Sequence, residues 1–502
     1  MMNGKEYLES LNDGRVVYLN GKKIEDVTTH PAYQNSARSI KRMYDSLHDP
    51  EKASILTTKT EEGYVTQKFF KAPTSAQELL ESRNAVAEWS RLSFGFMGRT
   101  PDYKASFTAH LGAFSDFYKG FEGNAQRWYD KTVRENTFCN HTLVNPQVDR
   151  SKPLHENKDV FVRAVDERDD GIIVSGAKLV GTAAALTHYN FVSNYGATDL
   201  GDGDQSNALI FFVPMNAPGL KMISRQSYEL AAATNGTPFD YPLSSRFDEN
   251  DAVIVLDNVF IPWEDVLTYK NLEITNNFFV QTGFFNRFCL HGCTRFAVKL
   301  DFLAGMLLKA TEMSGTQQFR GVQVNIGEVL AWRNMFWALS TAMCHEAVPG
   351  PNGIVMPGMD SGAAYRVLAP MAWLKIKSIF EQVIAGGLIQ LPSSAEDFNN
   401  PEIRQYLDTY YRGSGVTAEE RVKLMKLVWD AIGTEFGGRH ELYEVNYAGN
   451  TENIRLETLK IADATGQSTR FKSFVDHAMS DYDLTGWTNN NWINVKKEEL
   501  VR

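Results

Sequence analysis

Four long stretches of helical periodicity, Phe284 to Met313, Gly321 to Glu346, Ala363 to Ala385 and Thr417 to Gly433, restrict this chain more than any other feature. In the first, Phe288, His291/Gly292, Arg295, Val298/Lys299 and Phe302 recur at steps of three and four, the spacing of one helix face. The last opens on Thr417-Ala418-Glu419-Glu420, a capping box in which hydroxyl and carboxylate satisfy each other's backbone amides. Helices with partly apolar faces bury them against one another, so this half of the chain is predicted to be a bundle.

The texture upstream is different. Val160 to Val165 and Gly171 to Gly176 read as strands joined by the polar turn 166–170, and Asn190 to Asn194, Ala208 to Val213 and Ala252 to Leu256 continue the pattern. This predicts several antiparallel strands in a small barrel or sandwich. Before about residue 145 the chain reads as helices, one opening at Ser75-Ala76-Gln77-Glu78 and running through Val86 and Trp89 to Leu92. The expected division is a helical domain over 1–145, a β domain over 146–270 and a helical bundle with a tail over 271–502, an α+β chain.

Composition sets the outer limits. A chain of 502 residues, 43% hydrophobic and 22% charged, carries a large core and the balance of a soluble globular protein. A net charge of −10 argues against nucleic acid as the partner. The start, Met1-Met2-Asn3-Gly4-Lys5-Glu6, lacks an apolar signal core, and no run approaches the ~18 apolar residues of a membrane span. Cys139, Cys289, Cys293 and Cys344 are too few for a disulfide framework, so a reducing cytoplasm is expected. Cys289 and Cys293 lie one helical turn apart, but a soft-metal site needs two further ligands, so core packing is the simpler reading and no metal is expected. Neither a Walker loop nor a G-x-G-x-x-G in a βαβ setting occurs, which disfavours a Rossmann nucleotide site.

Three stretches could carry chemistry. Gly95 to Lys104 places Arg99, a forked cation suited to an anionic oxygen, four positions before the phenol of Tyr103; a loop with an Arg–Asp surface pair is the plain alternative. Phe138 to Arg150 holds His141 and the polar groups Gln147, Asp149 and Arg150 at the helical-to-β boundary, where clefts form, although a lone histidine also packs structurally. Gly433 to Glu441 combines Gly437, Gly438 and Arg439; its amides could approach an anion, or the run could simply end one helix and start another.

Together these stretches resemble the oxygenase components of two-component flavin-dependent phenol hydroxylases. The resemblance runs over nearly the whole chain and is carried by Trp89-Ser90-Arg91-Leu92, residues 97–104, 240–246 and 247–251, Trp332-Arg333-Asn334 and residues 435–444. It implies the acyl-CoA-dehydrogenase-like fold: an N-terminal helical domain, a middle antiparallel β-barrel and a C-terminal four-helix bundle, usually as a homotetramer. It also implies reduced FAD supplied by a separate NAD(P)H-dependent flavin reductase, O2 as co-substrate, and ortho-hydroxylation of a para-substituted phenol of the 4-hydroxyphenylacetate kind to a catechol. A simple phenol, halophenol, nitrophenol or 4-hydroxycinnamate is the alternative substrate, and an acyl-CoA dehydratase or isomerase of the same fold the remote alternative activity.

The implied roles are specific. Arg99 and Tyr103 would stabilise the developing phenolate, and His141 would accept or hold the phenolic proton. His141, Thr142, Leu143, Gln147, Val148, Asp149 and Arg150 would line the flavin, Thr182 its isoalloxazine edge, and Phe436, Gly437, Gly438 and Arg439 its more distant parts. The segment 193–200 stands where relatives hold the substrate's tail, often a carboxylate. It offers Ser193, Asn194 and Tyr195 but no Arg or Lys.

Overall fold

The computed structural model describes residues 1–149, 151–152, 154–157, 159–194, 205–447 and 449–495. Its contacts divide the chain into two units, Met1–Val445 and Asn446–Arg502.

The first unit is built around the helix Phe284–Met313, in which every residue from Phe284 to Leu300 is buried. A helix enclosed on all sides normally carries no charge. This one carries Arg287, His291, Arg295 and Lys299, a polar stripe at steps of four that occupies a single face. Around it pack Arg320–His345, Met359–Ile389 and Ala418–Ile432, which complete the expected four-helix bundle. The Thr417 capping box is present with both of its reciprocal bonds. Ser75 also caps its helix, Ala76–Leu92, although Glu78 turns its carboxylate to the Thr74 amide instead of closing the box.

The β portion is two separate sheets; among the described residues they do not close into a barrel. The larger runs in the order Lys22–Ile24, Val17–Leu19, Leu220–Ser224, Asp251–Pro262, Gly171–Thr182, Arg163–Arg168. The smaller runs Val266–Tyr269, Leu209–Pro214, Tyr189–Val192, Cys139–Thr142. Two pairings are parallel: Val17–Leu19 with Leu220–Ser224, and Cys139–Thr142 with Tyr189–Val192. Both recruit strands from before residue 146, which period-2 reading missed because three or four residues are too short to show alternation. From residue 101 to 135 the chain forms the helix Pro101–Thr108, a turn region with a short 3-10 helix, and the helix Glu122–Glu135.

The second unit holds two helices, Thr451–Ala464 and Gln467–Met479, and a two-stranded ribbon, Tyr482–Asp483 with Gly486–Trp487. Ile454 is its single buried hydrophobic among the described residues, while Leu459, Phe471, Phe474 and Val475 are exposed.

Candidate active site

The stripe on the central helix holds the segment 95–102 in place. Arg295 grips the Glu444 carboxylate with both Nη atoms, at 2.6 and 2.7 Å, and donates to the Gly95 carbonyl at 3.0 Å. Lys299 adds a third donor to Glu444 at 2.9 Å. Burial alone would raise the Glu444 carboxyl, but Arg295 and Lys299 outweigh it and hold it below the usual range. Gly95 has φ +75°, and a Cβ there would lie 2.7 Å from the Lys299 backbone nitrogen, so glycine is required for both conformation and space.

Three residues on, the buried Glu249 carboxylate accepts the consecutive amides of Gly98, at 2.9 Å, and Arg99. A Cβ on Gly98 would lie 1.8 Å from the Tyr443 hydroxyl. Pro101 then opens the helix Pro101–Thr108 at its first position, where its missing N–H is no loss. Asp102 is not a surface partner of Arg99. It is 1% exposed, accepts from the Thr100 hydroxyl and the Tyr103 amide, and lies 3.2 Å from Nε2 of His291 on the stripe.

This framework projects Arg99 and Tyr103 toward His141. The Arg99 guanidinium lies over the Tyr103 ring, 4.2 Å from its centre, and reaches the Tyr443 hydroxyl at 3.4 Å. The Tyr103 and His141 rings are 5.6 Å apart. His141 comes from the strand Cys139–Thr142 and packs 4.4 Å from Phe107, which stacks on Phe284 at 3.9 Å. The three side chains expected to meet the phenol are therefore neighbours in one cluster.

Lys104, adjacent to Tyr103 but unassigned by sequence reasoning, completes it. It is wholly buried, and its Nζ lies 2.7 Å from Asn140 Oδ1, 3.0 Å from His141 Nδ1 and 3.4 Å from the Thr182 carbonyl. Burial first, and then the charge of Arg99, pushes its pKa well below the ordinary lysine value. Burial, with Lys104 and Arg99 alongside, likewise pushes the His141 imidazole well below its ordinary range, so the ring is neutral.

Thr182 joins this cluster to a second charge network. Its hydroxyl donates to Asp251 at 2.6 Å, and Asp251 is held by Arg439, at 3.1 and 3.2 Å, and Arg225, at 3.0 Å. Burial opposes the Asp251 charge, but the two guanidiniums outweigh it and depress its pKa. Val180 and Ala183, on either side of Thr182, both have positive φ, +58° and +61°. For a β-branched valine that conformation is strained, and it occurs here where the Thr182 carbonyl faces Lys104 and its hydroxyl faces Asp251.

The other expected residues divide into three groups. Thr142 and Leu143 are buried beside His141, and the Ser193 amide donates to the Thr142 carbonyl at 3.2 Å. Asn194 accepts from Lys178 at 2.7 Å, and Lys178 also reaches Asn145 at 2.7 Å. Lys178, a second residue that sequence reasoning passed over, is 2% exposed, and burial pushes its pKa down to about 7. Gln147, Val148 and Asp149 are exposed, with Asp149 accepting from Ser151 within its own turn. Arg150 and Tyr195 lie outside the described residues.

At 433–441 the helix-end reading holds locally. Gly433 ends Ala418–Ile432, and Glu435–Asn446 follows as a new helix. The Gly437 and Gly438 amides already donate to the Thr434 hydroxyl and carbonyl, so this glycine pair offers no free cradle for an anion. Gly437 is needed for packing, since a Cβ there would lie 2.7 Å from the Ile432 backbone carbon. Phe436 is buried and stacks on Phe96 at 5.8 Å, and Arg439 is committed to Asp251.

Three buried polar atoms around His141 have no hydrogen-bond partner among the described residues: Asn140 Nδ2, Asn190 Oδ1 and the Ser193 hydroxyl. Such atoms cost free energy unless something satisfies them, and a bound polar ring would. The aromatic walls, the orphaned groups, the Arg99 guanidinium and the Lys104 amine fit a planar cofactor and an oxygen-bearing ring. Among the described residues no three His, Cys, Asp or Glu side chains gather as metal ligands, and the four cysteines are buried and form no disulfide.

Two family descriptions cover the chain: 4-hydroxyphenylacetate 3-hydroxylase N terminal, over residues 3–268, and its C-terminal counterpart, over 275–476. The 4-nitrophenol 2-monooxygenase oxygenase component of Rhodococcus sp is 51% identical, covering 100% of this chain and 96% of that one. The 4-hydroxyphenylacetate 3-monooxygenase oxygenase component of Escherichia coli is also 51% identical, covering 98% and 96%. A crystal structure of a 4-hydroxyphenylacetate 3-monooxygenase oxygenase component with FAD and 4-hydroxyphenylacetate superposes with a TM-score of 0.89 at 29% identity, covering 95% and 99%. The fold is the acyl-CoA-dehydrogenase-like one that the resemblance implied.

Proposed function

The chain belongs to the 4-hydroxyphenylacetate 3-hydroxylase family, and from that premise we propose that it is the oxygenase component of a two-component monooxygenase. It takes reduced FAD from a separate NAD(P)H-dependent flavin reductase and, with O2, converts a para-substituted phenol to the ortho-dihydroxy product. When bound, the reduced flavin and O2 supply the electrophilic oxygen; the protein binds, orients and deprotonates the phenol and keeps water away.

The observation that carries this reading is the convergence of Arg99, Tyr103 and His141 in one aromatic-walled cluster. A phenol becomes nucleophilic at its ortho carbon as its O–H bond breaks. Arg99 and Tyr103 are placed to share the negative charge that develops on oxygen, and preorganised donors of this kind contribute about 3–4 kcal/mol each in other oxyanion sites. His141 Nε2 takes the proton. FAD is assigned to His141, Thr142 and Leu143, the exposed run Gln147–Asp149 with Arg150, Thr182, and the end of the helix that carries Phe436, Gly437, Gly438 and Arg439. Of these, Thr182 and Arg439 are already linked through Asp251. Ser193, Asn194 and Tyr195 are assigned to the substrate's tail.

The curated relatives include both a nitrophenol and an arylacetate hydroxylase at 51% identity. Lys178 favours an anionic tail, because it places a buried amine directly behind Asn194 with no carboxylate bonded to it among the described residues. The preferred substrate is therefore a phenol with a para carboxylate or similarly charged group, with 4-nitrophenol as the alternative. Cytoplasmic residence accords with four cysteines that form no disulfide and with the absence of any helix, among the described residues, long and apolar enough to cross a membrane. A homotetramer accords with the apolar side chains exposed on the bundle, Phe319, Val324, Met371 and Leu374, and with those exposed on the second unit. The chain is assigned a helical domain over 1–145, a β domain over 146–270 and a helical bundle with a tail over 271–502, with strands from before residue 146 completing the sheets of the β domain.

Reconstitution tests the reading. The protein, a flavin reductase, NADH and FAD, with 4-hydroxyphenylacetate and 4-nitrophenol in separate reactions, should yield the dihydroxy product with little peroxide. NADH consumption that yields only peroxide with both phenols, and with a panel of others, would overturn it.

A further inference from the structure

We propose that Lys104 is a positioning residue and the terminal proton acceptor behind His141: the phenolic proton passes through the imidazole and is held on this sealed lysine while the ring is hydroxylated. The proposal rests on the hydroxylase reading above and adds a residue and a proton path to it.

The number of hydrogens on Nζ decides what it can bind. Among the described residues Lys104 has three polar neighbours: Asn140 Oδ1, the Thr182 carbonyl and His141 Nδ1. The first two are obligate acceptors, so the amine donates to both in either charge state. The third, a ring nitrogen, donates or accepts according to its tautomer. A neutral amine has two N–H bonds for the two oxygens and one lone pair for His141 Nδ1–H. That tautomer leaves the lone pair on Nε2, ready for a phenolic proton. An ammonium has three N–H bonds for three acceptors, with Nδ1 now accepting and Nε2–H donating to a phenolate. Both states satisfy every partner with the same heavy atoms in the same places, so the proton crosses without side-chain movement.

The step balances as proton transfer alone. The phenol O–H bond breaks and an Nε2–H bond forms; the Nδ1–H bond breaks and an Nζ–H bond forms. The result is a phenolate and an ammonium separated by a neutral imidazole, and the proton returns over the same atoms when an oxygen of the product is reprotonated. No oxidant or reductant takes part.

The surroundings agree. Burial and the charge of Arg99 disfavour an imidazolium, so His141 passes the proton on. Lys104 can keep it. Burial and Arg99 lower its affinity, while Glu249, Asp251 and Cys139 act in the opposite direction without touching it, so a neutral resting amine and a stable ammonium are both within reach. Tyr103, the remaining titratable neighbour, has its ring 6.0 Å from Nζ. Lys104 is wholly buried, so the stored proton does not reach bulk water.

A proton inventory on the enzyme with reduced FAD, kept anaerobic, tests this with 4-nitrophenol, whose anion is coloured. Formation of the coloured anion on binding, in weakly buffered solution with a pH indicator, should release close to no proton to the medium. One proton released per anion formed would show that Lys104 is already an ammonium and would overturn the relay. Lys104→Met should leave the bound probe uncoloured at the same pH, raise the pH at which it ionises by about one unit or more, and lower turnover ~100-fold or more. Lys104→Arg keeps the charge but accepts no proton, so its bound anion should form with release of a full proton. Ionisation unchanged in Lys104→Met would also overturn the proposal. Hydroxylation by the wild type, followed in parallel, separates the two claims: product formed together with a released proton refutes the relay and leaves the hydroxylase reading intact, whereas no binding and no product with any phenol refutes both.

Discussion

Gly98 gives a sharp test of how tightly the phenolate end of the site is built. In Gly98→Ala the new Cβ would lie 1.8 Å from the Tyr443 hydroxyl, 2.5 Å from its Cζ and 2.9 Å from its Cε1. Ordinary contact with such atoms begins near ~3.5 Å, so the loop or the ring must yield by well over ~1 Å. Neither is loose. The loop is held by Glu249 through the amides of Gly98 and Arg99, and Tyr443 precedes Glu444, which Arg295 and Lys299 clamp. Overpacking of this kind costs about 1–3 kcal/mol of stability. Its effect on chemistry should be larger, because Arg99 contacts the same hydroxyl at 3.4 Å and a displacement near ~1 Å at a reacting site costs about 100-fold in rate. Product formation in the reductase-coupled assay should fall by that order while flavin oxidation continues, so that peroxide replaces product. Adding Tyr443→Phe removes the nearest clashing atom but not Cζ, and should recover part of the lost stability. A Gly98→Ala enzyme with stability, rate and coupling all within twofold of wild type would refute the reasoning.

Other outcomes follow from the same geometry. Lys178→Gln should weaken a phenol with a carboxylate tail by roughly 10–100-fold, the worth of a charged hydrogen bond, and leave a neutral-tailed phenol nearly unaffected, as read by equilibrium titration. Burial lowers the Lys178 pKa to about 7, so the ammonium is present below that pH and lost above it. Affinity for the carboxylate phenol should therefore decline as pH rises through about 7, and that decline should vanish in Lys178→Gln. Val180→Gly removes the strain of φ +58° at an exposed side chain. It should cost less than a strand glycine usually does, with thermal unfolding within about 1 kcal/mol of wild type, but should raise peroxide leakage by loosening Thr182. Cys139, Cys289, Cys293 and Cys344 are all buried, so a thiol reagent should label none rapidly in the native protein and all four after denaturation.

The bundle was the most legible part of the fold because its helices are long enough for a three-and-four period to accumulate and because Thr417 and Ser75 mark helix starts. The sheets were legible as strands but not as topology. The parallel pairing of Cys139–Thr142 with Tyr189–Val192 is a contact across about fifty residues that no local pattern announces. In the site, Arg99, Tyr103 and His141 were found through chemical type and family likeness. Lys104 and Lys178 were not, since lysine is ordinarily a surface residue and their burial is a tertiary fact. For Lys178 the position inside the buried strand run Gly171–Thr182 was an available signal. Asp102 misled for the converse reason, because its partners are the Thr100 hydroxyl, the Tyr103 amide and a histidine nearly two hundred positions away, not its neighbour Arg99.

The parallel strand pair makes the chemistry depend on parity. Asn140 lies opposite Asn190 and His141 opposite Phe191, and successive side chains on a strand point to opposite faces. Sliding Cys139–Thr142 by one position would exchange His141 for Asn140 or Thr142 on the face toward Phe107; sliding it by two would restore the face but not the residue. A single inserted or deleted residue within 137–142 would thus present an amide or a hydroxyl where the imidazole stands. A frame change inside these strands should be seen among descendants of this scaffold only together with loss of hydroxylation.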